Sequence, residues 1–246
     1  MKSPQYYVRK THRYMGLFIG IQFLLWTIGG LYFSWTNIDH IHGDHLINFP
    51  NTNISVRDSL LTPNEAVKYA GLNQEKVSSI HLANVLGKTV YRIYADSSLV
   101  LVNAKTGHIR PPLNKEEAVN FAKQIFKPNN DVVKVAYVTK ENIQDHYQYR
   151  ENPLPAWAVT FKHPSKSVLY ISANLGRFEK IRNGQWRLFD WLWMLHVMDY
   201  NTRDNINNWV LRGFSILGLL TILSGFTLFY QSSRALRRIK KKGGYN

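Results

Sequence analysis

The chain has no cysteine. That excludes disulfides, thiolate metal sites and cysteine nucleophiles together. Acids are scarce as well, 16 against 31 lysines and arginines, and every Asp and Glu lies between Asp39 and Asp204. Two long stretches, 14–38 and 213–233, contain no Asp, Glu, Lys, Arg or His at all. There is no nucleophile elbow, no H-E-x-x-H, no phosphate-binding glycine loop and no dinucleotide fingerprint, so a hydrolase is not expected and no catalytic residue is assigned. Ser34-Trp35-Thr36 offers no small-x-small cleavage site, so the first stretch is read as a retained anchor and not as a cleaved signal peptide.

What is present begins with those two stretches. A bilayer core of about 30 Å takes roughly 20 helical residues, and both are long enough. They predict transmembrane helices over 14–38 and 209–233. The net charge of +15 is not spread over a surface. Lys2, Arg9, Lys10 and Arg13 precede the first stretch, and Arg234, Arg237, Arg238, Lys240, Lys241 and Lys242 follow the second. Short basic flanks stay in the cytoplasm, so both termini are expected there and the middle outside, with the lipid bilayer as partner. Nucleic acid then loses its support as a partner. Trp26, Tyr32, Trp35, Trp209 and Tyr230 suit interfacial belts, and Gly16-x-x-x-Gly20 suits close helix approach.

The middle of the chain repeats itself. Leu61-Thr62-Pro63-Asn64-Glu65-Ala66-Val67 matches Leu113-Asn114-Lys115-Glu116-Glu117-Ala118-Val119. Thr62 with Glu65 and Asn114 with Glu117 each spell a capping box opening a short helix. Asn103-Ala104-Lys105-Thr106-Gly107 matches Ser172-Ala173-Asn174-Leu175-Gly176, a strand end meeting a turn whose glycine takes positive φ. Further strands are expected over 77–82, 89–95, 132–138 and 156–161. Repeats this short need each other's apolar faces covered, so the pair is expected to pack as one body. The second copy carries an insertion over 141–154, read as a functional face or as a solvated loop.

A helix followed by strands ending in this turn resembles the PepSY domain, and two such units between apolar helices resemble the PepSY-associated transmembrane family of bacterial envelope proteins. Arg9-Lys10-Thr11-His12-Arg13-Tyr14-Met15-Gly16, Gly43-Asp44-His45-Leu46 and Leu195-His196-Val197-Met198-Asp199-Tyr200 are similar to motifs at the membrane edges of that family. The resemblance implies an α+β fold: a tandem PepSY body, each unit a helix plus a small antiparallel sheet, flanked by two transmembrane helices. The division is 1–13 basic tail, 14–38 first helix, 39–60 linker, 61–112 first unit, 113–182 second unit, 183–208 juxtamembrane segment, 209–233 second helix and 234–246 basic tail. It also implies the bacterial cytoplasmic membrane and iron handling through haem b or a transition metal, with electrons passing to a ferric siderophore in a homodimer or with a membrane partner. Relatives of the other kind imply a non-catalytic module that binds or regulates an envelope polypeptide.

Haem iron and transition metals take neutral imidazole, so each histidine matters. No histidine occurs inside either apolar stretch. His12, His45 and His196 at their edges are the candidate cofactor ligands, with Asp44 and Asp199 orienting the rings. His12 also reads as a polar residue among basic neighbours, and His196 as one hydrogen-bonded to Asp199 or to backbone. His45 and His196 would share one membrane face and His12 the other, so a two-histidine site at His12 needs two copies. His40, His42 and His45, with Asp39 and Asp44, make a second candidate metal cluster, or a solvated polar linker. His81, His108 and His163 carry no case.

Overall fold

The computed structural model describes residues 3–50, 59–96, 98–128 and 131–233. Lys2 and the basic residues of 234–242 lie outside them. The chain divides into two compact units, Met1–Thr36 with Leu188–Asn246, and Asn37–Arg187.

The first unit is built on two long helices, α1 (Pro4–Trp35) and α6 (Trp209–Ser232). Tyr6–Trp35 and Trp209–Ser232 are long and apolar enough to cross a membrane. Leu17, Phe18, Ile21, Ile216, Leu219 and Phe226 are among many large apolar side chains left exposed on them. Such a surface is costly in water and suited to lipid. Helix α1 starts at Pro4, well before the uncharged stretch, and Arg9, Lys10 and Arg13 ride on it exposed. An uncharged run marks where hydrocarbon begins, whereas a helix continues until its hydrogen-bond ladder stops. It stops at Trp35, with the Thr36 N–H donating to the Tyr32 carbonyl. Helix α6 is capped by Asn208, whose side chain accepts from the Leu211 N–H at 2.8 Å.

The helices pack antiparallel, His12 meeting Ser224 and Phe23 meeting Gly218. The small residues at this seam are on α6. A Cβ at Gly218 would lie 3.0 Å from Phe23, and one at Gly225 would lie 3.2 Å from His12. Gly16 and Gly20, expected to serve close approach, have nothing within 4 Å.

The second unit holds two four-stranded antiparallel meanders. The first contains β1 (Val77–Val85), β2 (Lys88–Ala95), β3 (Ser98–Asn103) and β4 (Ile109–Arg110); the second contains β5 (Val132–Val138), β6 (Ala156–Phe161), β7 (Val168–Ser172) and β8 (Arg177–Arg182). Each is preceded by its helix, α3 (Pro63–Tyr69) or α4 (Lys115–Ile125), and both capping boxes are formed. Gly107 and Gly176 both take positive φ, +74° and +57°. The two repeats share one core: Val85, Val90 and Leu101 of the first sheet pack in a cluster with Val159, Leu169 and Ile171 of the second. Arg92 fastens the join by donating to the carbonyls of Leu175 and Gly176.

Two segments read as connectors are structured. Residues 37–47 form α2 (Ile38–His42), a left-handed Gly43 and a single turn, Asp44–Leu46. Ile41, Leu46 and Ile47 are buried, and Ile47 bridges to Phe126. A polar-looking stretch is thus docked by its apolar third, which a count of histidines and aspartates hides. The insertion over 141–154 likewise sends Tyr149 into a small core with Val138, Ala156 and Tyr170. The Tyr149 and Tyr170 rings stack at 4.6 Å, and the Tyr149 hydroxyl donates to the Pro153 carbonyl.

Candidate functional site: the histidines of the helical unit

His12 lies on α1, half-buried against α6. Its Nδ1 is 2.7 Å from the Ser224 Oγ. That hydroxyl is also 2.8 Å from the Thr221 carbonyl, which has no proton to give, so the hydroxyl must donate to it. Ser224 then has only a lone pair for the imidazole, and Nδ1 must carry the ring proton. A neutral His12 is therefore held with Nε2 bare. This is the tautomer a metal or haem iron requires, fixed by a hydrogen bond on the opposite nitrogen. Gly225 keeps the space beside Cε1 open.

His196 is in the last turn of α5 (Gly184–Val197). Its ring sits among Trp26 at 5.5 Å, Phe33 at 5.9 Å and Trp193 at 6.1 Å between centroids. Its Nδ1 is buried with no hydrogen-bond partner, and so is the indole Nε1 of Trp26. Buried polar atoms are almost always paired, and an orphan beside a second orphan marks a place where something polar is missing. Trp26, expected in an interfacial belt, is thus part of the surroundings of His196; Trp35 and Trp209 remain more than four-fifths exposed.

Along α1, Trp26 and Phe33 are about 20–30 Å from His12 at 1.5 Å per residue. His12 and His196 are therefore two separate single-imidazole positions, one toward each end of the helix pair. Asp199 does not orient His196. Its carboxylate accepts from the backbone N–H groups of Asn201, Thr202 and Asn205 and from the Thr202 hydroxyl, so it organises the turn leading to α6. Burial pushes its pKa up, but these four donors outweigh that and hold it well below the usual carboxylate range. Asp190 of α5 is likewise buried, and it is paired with Arg203.

In the other unit, His45 lies with its ring 4.3 Å from that of His40. The Lys127 ammonium holds the His45 carbonyl, and the Asn183 amide holds the His40 carbonyl. His42 and Asp44 are exposed on the same turn. Among the described residues no group of three or more His, Asp or Glu side chains is placed to hold a metal ion.

Ser224, Gly225 and Trp26 have no local signal in the sequence that ties them to a histidine. His163, set aside as a surface turn position, lines a cavity with His40 and His45. Only the tertiary fold brings these together. Searches against family models, curated proteins and solved structures found no match to this chain.

Proposed function

We propose that this is a two-pass protein of the bacterial cytoplasmic membrane, both termini inside, whose tandem PepSY-type body faces outward and whose edge histidines bind haem b in electron transfer to ferric siderophores. The observation that carries the reading is the pair of imidazole environments in the helical unit. His12 presents a bare Nε2 because its Nδ1–H donates to the Ser224 hydroxyl oxygen. His196 presents a buried, unpartnered Nδ1 inside an aromatic enclosure.

Both fit a haem group, which when bound supplies one-electron chemistry at its iron. His12 and His196 would each hold such a group through one ring nitrogen, with a second copy of the chain or a membrane partner completing the site. Ser224 fixes the tautomer of the first ligand, while Trp26, Phe33 and Trp193 exclude water from the second. His45, in the other unit, stays a candidate ligand, with Asp44 beside it. An absorption spectrum of the detergent-purified protein, expressed with ample haem, tests the reading: a Soret band is expected, and a folded, colourless protein would sink it.

A specific feature favours the alternative of an interaction module. A cleft of about 220 Å³ in the sheet unit is lined by Phe49, Phe121, Phe178, Arg92 and Arg177. Aromatic faces beside guanidinium groups suit a segment of envelope polypeptide. A colourless preparation that co-purifies with an envelope protein, and loses it on Phe178→Ala, would favour that reading.

A further inference from the structure

Three histidines from two distant parts of the sequence line one cavity of about 480 Å³ in the sheet unit. His40 and His45 come from α2 and the turn after it, and His163 from the β6–β7 connection, together with Lys166. Gly184 and Gln185 close it from the start of α5. No Asp or Glu is among the lining residues.

The hydrogen bonds decide what such a cavity can hold. The Ser165 backbone N–H donates to His163 Nδ1 at 3.2 Å, so that nitrogen is an acceptor and a neutral ring carries its proton on Nε2. His163 is therefore a donor and not a metal ligand through Nε2. The Ser165 hydroxyl, 2.7 Å from the same nitrogen and 2.6 Å from the Ser167 hydroxyl, fixes that arrangement further. Lys166 adds a full positive charge to the lining, and its backbone carbonyl is held by the Arg187 guanidinium at 3.0 Å. At α5, the Gly184 N–H donates to the Ser165 carbonyl and the Trp186 N–H to Asn183 Oδ1. Gln185 follows at the positive end of a 14-residue helix with no acid in its first turn.

Gly43 is what lets the two sides of the cavity meet. It sits at φ +86°, and a Cβ there would come within 2.9 Å of the Asn183 side chain, the same residue that caps α5 and holds the His40 carbonyl. The bend between α2 and the following turn thus sets His40 and His45 against the start of α5.

We infer that this cavity binds a phosphate-type oxyanion, as free phosphate, a phosphate ester or a phospholipid headgroup. The His163 Nε2–H and Lys166 line it beside two further imidazoles, with no acid among the lining residues, which is the complement of such a group. Its volume leaves room for the ester substituent. The inference is independent of whether the helical unit carries haem.

The test is calorimetric titration of the full chain in nonionic detergent with inorganic phosphate. Saturable binding is expected, weakened about tenfold or more in Lys166→Gln, as expected for loss of a charge-assisted contact, and likewise in His45→Gln. Lys166 is exposed, so its variant is expected to fold even where a histidine variant does not, and thermal melts of each variant check this. Repeating the titration in micelles containing phosphatidylglycerol separates the sources. Competition by the lipid assigns a headgroup, and unchanged binding assigns a soluble phosphate compound. Absence of saturable binding, or binding by Lys166→Gln and His45→Gln as tight as that of the parent chain, would overturn the inference.

Discussion

The Nδ1 of His12 and the Oγ of Ser224 are 2.7 Å apart across the α1–α6 seam, although they are 212 residues apart in the chain. The Thr221 carbonyl claims the hydroxyl proton, so the imidazole is the donor. Nitrogen NMR of histidine-labelled protein at a pH where the ring is neutral should show Nε2 of His12 unprotonated. Ser224→Ala should turn this into a mixture of tautomers and cost about 0.5–1.5 kcal/mol of helix-pair stability. A protonated Nε2 in the parent protein would reverse the assignment of donor and acceptor.

The seam also depends on two glycines of α6. Gly218→Leu and Gly225→Leu push a side chain into the rings of Phe23 and His12 respectively. Each is expected to destabilise the pair by about 1–3 kcal/mol, the usual cost of overpacking. Gly16→Leu, on open helix surface, should change the melting temperature little. Thermal melts of the three variants in one detergent compare them directly, and equal losses would place the seam elsewhere.

How much of this was legible beforehand differs by element. Thr62 with Glu65 and Asn114 with Glu117 are local signals, because a capping box is made within four residues, and both formed as read. Gly107 and Gly176 were legible because a strand end followed by a turn forces positive φ on one residue. The start of α1 was not, since charged residues extend a helix past the hydrocarbon without ending it. Residues 37–47 misled because three histidines dominate the composition while Ile41, Leu46 and Ile47 decide the placement. Ser224 against His12, and His163 against His40 and His45, are tertiary meetings with no periodic pattern to announce them.

Tyr149 shows what the insertion contributes. Its side chain is fully buried, stacked on Tyr170, and burial pushes both phenols up, that of Tyr170 to about 12. Tyr149→Ala should cost about 3–5 kcal/mol, as other buried aromatic truncations do. Tyr149→Phe removes only the bond to the Pro153 carbonyl and should cost about 1 kcal/mol. Chemical denaturation with tyrosine fluorescence measures both, and a harmless Tyr149→Ala would return the insertion to a solvated loop.

Lys180 of β8 has its pKa lowered to about 8, first by burial and then by Arg182 and Arg150, with Glu179 and Glu151 opposing. A lysine whose charged form is disfavoured loses its proton early. At pH 8 about half of the Lys180 amines are neutral, against well under about 1 % for a lysine titrating near 10.5. Brief acylation at pH 8 followed by peptide mass spectrometry should therefore label Lys180 ahead of exposed lysines such as Lys88 and Lys105. The preference should fade as the pH is raised past 10, where ordinary lysines also lose their protons. Uniform labelling at pH 8 would show that burial and the neighbouring guanidinium groups do not disfavour the charged form of this amine.

His12 and His196 are proposed as two separate ligand positions. Haem content per chain, measured as the pyridine complex, should be compared across the parent protein, His12→Ala, His196→Ala and the double variant, all purified from cells supplied with haem. Partial loss in each single variant and complete loss in the double variant is the expected result. A folded parent protein without haem, or a double variant that keeps it, would contradict the account.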